Sequence, residues 1–168
     1  MYEALLEEAS QKGLTVIEKY PFHSARIRGL CCEDTIALNA QIDTVAERTV
    51  VLCEELAHAT SSVGNILQDP RMERRAREQS FDRLISPEGL VSAYLAGCRE
   101  AWEFAEHLGI PEAFLQEAMS NYRARYGVLK KVCFNGQEYA ITFEPILSIR
   151  KWPRSACRHW RGRKEHTA

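Results

Sequence analysis

The sequence predicts an α+β domain that is mostly helical and carries a small, mostly antiparallel sheet. Several stretches repeat apolar residues every three or four positions, which is typical of amphipathic helices. Short runs rich in β-branched residues lie near the start of the chain and indicate strands. Two further β-rich runs within residues 132–143 flank Asn135-Gly136, the residue pair preferred in a two-residue hairpin turn. These observations together predict the fold class.

The predicted elements begin and end at recognisable signals. A helix at residues 2–12 precedes Gly13, a common residue just after a helix end. Strands are predicted within 14–22 and at 35–39, with residues 31–34 as the turn or short hairpin connection before the second strand. Asp43-Thr44 offers an N-cap for the next helix. The remaining helices are predicted at residues 46–59, 71–85, 90–96, 100–108 and 111–127.

Composition predicts one globular domain over residues 1–148 and a basic, flexible C-terminal tail over residues 149–168. Of the 168 residues, 45% are hydrophobic and 27% are charged, which is typical of a globular protein. The net charge of −1 argues against a chain that binds nucleic acid by overall charge. Residues 150–168 hold seven Lys or Arg and one acid, so this tail carries +6 and the rest carries −7.

Cysteine usage and hydropathy predict a cytoplasmic protein without a membrane segment. The six cysteines show no C-x-x-C spacing, which argues against a zinc ribbon. No apolar run approaches the length of a membrane span, and the sequence shows no apolar leader-like segment at its start. We therefore expect reduced cysteines in the cytoplasm.

The predicted helix at 46–59, AERTVVLCEELAHA, places Glu54, Glu55 and His58 inside an apolar stretch. Carboxylates and imidazoles are costly there unless they are paired, hydrogen-bonded or metal-bound. Glu54 and His58 are four residues apart, so they project from the same helix face and could bind one ion. Glu55 is rotated from Glu54 by about 100°. The spacing is that of the zinc-peptidase pattern H-E-x-x-H, with Glu54 in place of the first His. An ordinary solvated helix face is the alternative.

Six segments of the chain are informative through their order and spacing: GL-x4-TIALN (29–39), VLCEELAHA (51–59), SSVGNI (61–66), ERRAREQSFDRLISPEGL (73–90), WEFAEHLGIPEAFLQEAMSNYRARYG (102–127) and FEP (143–145). Together they resemble the ImmA/IrrE family of zincin-like metallo-endopeptidases, particularly its short phage and mobile-element members. The resemblance covers roughly residues 2–148.

The resemblance implies a zincin-like metallopeptidase fold and assigns the candidate site residues. His58 would be a metal ligand, and Glu55 would be the general base that deprotonates the attacking water. Glu73, in the sequence E-R-R-A, would be the ligand from the following helix, and Glu54 occupies the position of the first His. The implied cofactor is Zn²⁺, and Mn²⁺ is possible because carboxylates replace imidazole in this ligand set.

The function implied by the resemblance is metal-dependent cleavage of a regulatory protein, such as a phage or mobile-element repressor of the helix-turn-helix type. One alternative is a catalytically lapsed zincin-fold module that binds a partner. A less favoured alternative is a helix-turn-helix DNA-binding regulator, suggested by residues 102–119. In that segment the second helix begins Pro111-Glu112-Ala113-Phe114, and an acid and an aromatic residue suit base reading poorly. We interpret the segment as core packing and do not expect direct nucleic-acid binding.

Overall fold

Residues 1–61, 70–143 and 145–153 are described by a computed structural model, in which they form six helices and six strands. The helices are α1 (Tyr2–Gln11), α2 (Val45–Ser61), α3 (Pro70–Leu84), α4 (Pro87–Leu95), α5 (Ala101–Leu108) and α6 (Glu112–Tyr126). The strands are β1 (Thr15–Tyr20), β2 (Gly29–Cys32), β3 (Thr35–Asn39), β4 (Leu129–Phe134), β5 (Gln137–Thr142) and β6 (Ser148–Lys151). Helices account for about half of the described residues, so the predicted α+β class is confirmed.

The strands form two three-stranded sheets, whereas the sequence predicted one small sheet. In the first sheet, β3 lies between β1 and β2, parallel to β1 and antiparallel to β2. In the second sheet, β5 lies between β4 and β6 and is antiparallel to both. The mostly antiparallel character is therefore confirmed, and the number of sheets was wrong. Alternation of apolar and polar residues along a strand predicts which face is buried. It does not predict the partner strand, because pairing depends on residues that are distant in the sequence.

Cys31 and Cys32 lie in strand β2, although residues 31–34 were predicted as a turn or connection. The turn is confined to Glu33 and Asp34, with Glu33 at a φ of 50°. Cys31 pairs with Ile36 in the antiparallel register and packs against the hydrophobic core. A two-residue turn thus leaves both cysteines in the strand.

Strand β6 extends the domain beyond residue 148, where the tail was predicted to begin. Ile149 pairs with Ile141 and is only 8% exposed, so its burial against the sheet holds residues 149–151 in the domain. Residues 62–66 of the SSVGNI motif and the basic tail from residue 154 onward lie outside the described residues.

Local signals at two element ends are confirmed. The side chain of Thr44 accepts a hydrogen bond from the backbone N–H of Glu47 at 3.1 Å and donates one to the Glu47 carboxylate at 3.0 Å. This reciprocal arrangement caps the start of α2. Asn135 and Gly136 have φ values of 49° and 76°, as a type I′ hairpin turn requires.

Helix α2 occupies the centre of the molecule. It contacts α1 and α3 as well as β2 and β3 of the first sheet. Val50, Val51, Leu52, Cys53 and Leu56 are all buried, which explains the apolar stretch around the candidate site residues. None of the described helices is both long enough and apolar enough to span a membrane. Because α2 lies between a sheet and a helix, its polar residues are distributed between two different environments.

Candidate metal centre

Helices α2 and α3 bring the three predicted metal ligands to one cleft. Glu54 and His58 from α2 and Glu73 from α3 line a cleft of about 680 Å³, and α6 contributes Glu117 to its wall. The prediction that Glu54 and His58 share a helix face is confirmed by their common position in this lining. Packing of α3 against α2 places Glu73 opposite them.

His58 and Glu73 are separated by the distance expected of two ligands on one ion. The Nε2 atom of His58 lies 3.5 Å from the Oε2 atom of Glu73. Tetrahedral ligands bound at about 2.1 Å are about 3.4 Å from each other, whereas an N–H···O hydrogen bond is usually about 2.9 Å. The His58 side chain is 16% exposed and that of Glu73 is 65% exposed, so the pair is open to solvent on the Glu73 side.

Glu54 is engaged by an arginine that the sequence interpretation did not single out. The Nη1 atom of Arg77 donates to Oε1 of Glu54. The same guanidinium donates to Glu117, with its Nε atom 3.1 Å from Oε1 and its Nη2 atom bonded to Oε2. Burial raises the pKa of Glu54, and the hydrogen bond from Arg77 opposes that increase. Burial of Arg77 disfavours its positive charge. Glu117 and Glu54 stabilise that charge more strongly, and the pKa of Arg77 is therefore raised.

Glu55 is rotated from Glu54 by about 100° around α2, and its side chain packs against strand β2. Burial raises its pKa to about 8, the negative charges of Glu54 and Glu73 add to the increase, and a hydrogen bond from the backbone N–H of Cys31 opposes it. Gly29 makes this close packing possible. A Cβ atom on Gly29 would lie 2.6 Å from Cγ1 of Val51 and 2.7 Å from Oε1 of Glu55. Glu55 is therefore confined between the helix and the strand.

The ligand chemistry fits a divalent ion, and one ligand pair has the required spacing. In residues 1–61, 70–143 and 145–153, no three His, Cys, Asp or Glu side chains already converge as a metal-binding group. The spacing of His58 and Glu73 fits two ligands of one ion. Glu54, the third predicted ligand, already accepts a hydrogen bond from Arg77. A carboxylate has two oxygens and about four acceptor sites. Glu54 can accept from Arg77 through Oε1 and retain Oε2 for an ion.

The helix-turn-helix-like segment is part of the core, as predicted. Phe114 is 3% exposed and Leu115 is 1% exposed, so the start of α6 is buried. The ring centroid of Phe114 lies 4.8 Å from the Cζ atom of Arg77. This end of α6 therefore supports the wall of the cleft.

Comparison with known proteins identifies no relative of this chain. No protein-family model matches the sequence, no curated protein matches it, and no solved structure matches the fold. The ImmA/IrrE resemblance therefore rests on the motifs alone.

Proposed function

We propose that this protein is a metal-dependent endopeptidase of the ImmA/IrrE type that acts on a regulatory protein. The observation that supports the proposal best is the 3.5 Å separation of His58 Nε2 and Glu73 Oε2 across an open cleft that Glu54 also lines. Three protein ligands and one open position are the usual composition of a catalytic zinc site. A bound Zn²⁺ or Mn²⁺ ion would polarise the scissile carbonyl and lower the pKa of water.

In this proposal the residues of the chain divide the work by their position on α2. Glu54 and His58, one helical turn apart, would hold the ion together with Glu73. Glu55, the neighbour of Glu54, accepts the proton of the attacking water at its carboxylate. Strand β2 excludes solvent from one side of that carboxylate, and the Cys31 N–H restrains its orientation.

The substrate class and the location follow from the sequence. The resemblance implies a repressor of the helix-turn-helix type, encoded by a phage or mobile element, as the cleaved partner. We propose a cytoplasmic location, because Cys31, Cys32, Cys53 and Cys98 are free thiols and a reducing compartment keeps thiols in that state. We propose no direct contact with nucleic acid.

Metal content is the decisive measurement. Elemental analysis is made on protein purified without chelator or affinity-tag metal, with wild type beside His58→Ala. We expect about one equivalent of zinc or manganese in the wild type and its loss in the variant, because three protein ligands are needed to retain the ion. Unchanged metal content in His58→Ala would show that the ligand set is wrong.

Glu55→Gln tests the catalytic role separately. The amide has nearly the same shape as the carboxylate but cannot accept a proton from water. We therefore expect the variant to keep its metal and its fold and to lose cleavage of a repressor encoded alongside it. Retained cleavage would refute the assignment of the base.

The Arg77–Glu54 ion pair favours a second candidate, a catalytically lapsed module that binds a partner. A guanidinium already neutralises the carboxylate that stands in place of the first His. If the wild type takes up neither Zn²⁺ nor Mn²⁺ on addition, this second candidate replaces the first.

A further inference from the structure

We propose that Arg77 sets the metal affinity of the site by competing with the ion for Glu54, and that Glu117 is the alternative partner of its guanidinium. This inference rests on the proposed function, because it requires that Glu54 bind a metal. It goes further by giving two residues outside the predicted ligand set a defined and opposite influence on metal binding.

The arrangement of hydrogen bonds shows why Arg77 can move between two partners. Its guanidinium donates to Glu54 on α2 and, in a two-pronged pair, to Glu117 on α6. Guanidinium has five N–H donors in a rigid fork that matches a carboxylate. Arg77 can therefore release Glu54 and remain paired with Glu117, so that its charge is never left without a counterion.

The aromatic residues below the guanidinium hold it at the wall of the cleft. Its Cζ atom lies 4.8 Å from the ring centroid of Phe114 and 5.6 Å from that of Phe81. These contacts stabilise a cation over the ring faces. They do not depend on Glu54, so Arg77 stays next to the site when the bond to Glu54 is given up.

Electrostatics determine the direction of the effect. The Arg77 side chain is 33% exposed and that of Glu54 is 22% exposed, so their charges are only partly screened by water. A guanidinium beside a ligand carboxylate repels a divalent cation, and here it also occupies Oε1 of Glu54, which leaves only Oε2 for the ion. Arg77 therefore lowers metal affinity, and Glu117 raises it by drawing Arg77 away from Glu54.

The test is calorimetric titration of Zn²⁺ alone into chelator-treated, full-length protein. We expect Arg77→Gln to bind Zn²⁺ about tenfold more tightly than wild type and Glu117→Gln to bind it about tenfold more weakly. In the second variant Arg77 has lost its other carboxylate and pairs with Glu54 alone. Thermal melts without metal establish that each variant is folded.

Arg74 and Glu78, which line the same cleft and pair with each other, provide matched controls. Arg74 lines the cleft on the same helix, but its side chain is 81% exposed and pairs with Glu78. Arg74→Gln removes the same charge as Arg77→Gln, and Glu78→Gln removes the same charge as Glu117→Gln. We expect both controls to change the affinity by less than about threefold, because Arg74 and Glu78 form an ion pair that does not include Glu54.

The outcomes separate this inference from the proposed function. If Arg77→Gln binds Zn²⁺ about 10- to 100-fold more weakly, Arg77 instead supports Glu54 as a ligand, and the inference is overturned. Equal tightening in Arg74→Gln would attribute the effect to net charge and also overturn it. If the wild type binds Zn²⁺ and neither Arg77→Gln nor Glu117→Gln changes the affinity, only the inference about Arg77 is refuted and the proposed function is not. Absence of binding in the wild type and in every variant refutes both proposals, whereas binding gained only in Arg77→Gln supports the competition directly.

Discussion

Gly29 carries no side chain at the point where strand β2 meets helix α2. The nearest atoms to a Cβ atom placed there are Cγ1 of Val51, at 2.6 Å, and atoms of the Glu55 side chain. Val51 is β-branched and buried, so it has little freedom to move away. Glycine at this position therefore determines how closely the strand covers the proposed catalytic base.

Gly29→Ala is expected to destabilise the protein and to displace Glu55. Overpacking of a buried contact costs about 1–3 kcal/mol. The loss in Gly29→Ala is measured as the change in the free energy of unfolding by urea. Cleavage by the variant should fall with it, because the carboxylate loses its position against β2. Cys32→Ala is the control, since Cys32 is exposed on the other face of the same strand. Unchanged stability and cleavage in Gly29→Ala would show that the strand can retreat without consequence.

Sequence spacing predicts some contacts of the site residues and misses others. Glu54 and His58 line one cleft because a four-residue spacing places them on one helix face, a relation fixed by helix geometry. Arg77 is 23 residues from Glu54 and 40 residues from Glu117 in the sequence. Its contacts with both carboxylates come from the packing of three helices, and no local pattern indicates them.

An ion pair joins the first helix to the third across the back of α2. Arg83 on α3 donates to both carboxylate oxygens of Glu8 on α1, with Nη1 at 3.2 Å from Oε1. The Glu8 side chain is 26% exposed, so the pair is partly shielded from water. The hydrogen bond from Arg83 lowers the pKa of Glu8, and Lys12 adds to the effect. The ion pair between α1 and α3 therefore depends on pH.

Removing this carboxylate should reduce stability at neutral pH but not in acid. A carboxyl group whose pKa is lowered on folding stabilises the protein above its unfolded pKa, and this contribution is lost as the pH falls through the folded pKa. We expect Glu8→Gln to cost about 0.5–1 kcal/mol at pH 7. The difference from wild type should shrink below a pH of about 4.3, the pKa of an unperturbed glutamate.

Urea unfolding of both proteins at several pH values between neutral and acidic checks this expectation. Glu7→Gln is the control, because Glu7 is exposed on the same helix and bonds within it to Gln11. A stability difference between wild type and Glu8→Gln that stays constant down to acid pH would contradict the assignment.

Tyr122 connects helix α6 to the second sheet. Its side chain is fully buried in α6, and its hydroxyl donates to the backbone carbonyl of Ile85 at 2.7 Å. Its ring lies 5.8 Å from that of Phe143, which follows β5. One residue thus links α6, the segment after α3 and the second sheet.

Tyr122→Phe should destabilise the protein by about 1–3 kcal/mol, because a buried carbonyl loses its hydrogen-bond donor. The measurement is the midpoint and slope of urea unfolding. Tyr126→Phe, a half-buried position one turn later in α6, should change stability by less than about 0.5 kcal/mol. Equal stability of Tyr122→Phe and wild type would mean that water or another donor replaces the hydroxyl.

Features that depend on neighbours along the chain could be predicted from the sequence. The α+β class, the helices, the cap at Thr44 and the turn at Asn135-Gly136 are confirmed, because helical periodicity, capping and turn dihedral angles are properties of a few consecutive residues. The same local geometry placed Glu54 and His58 on one face.

Contacts between groups that are far apart in the sequence are seen only in the tertiary structure. The division into two sheets, the place of Cys31 in β2 and the burial of Ile149 in β6 all depend on strand pairing across long stretches of chain. The sharing of Glu54 with Arg77 and the confinement of Glu55 beneath Gly29 depend on how α2 packs between α3 and the first sheet. Burial and charge at the site are set by these contacts, because desolvation and Coulomb interactions depend on distance in space and not on separation in sequence.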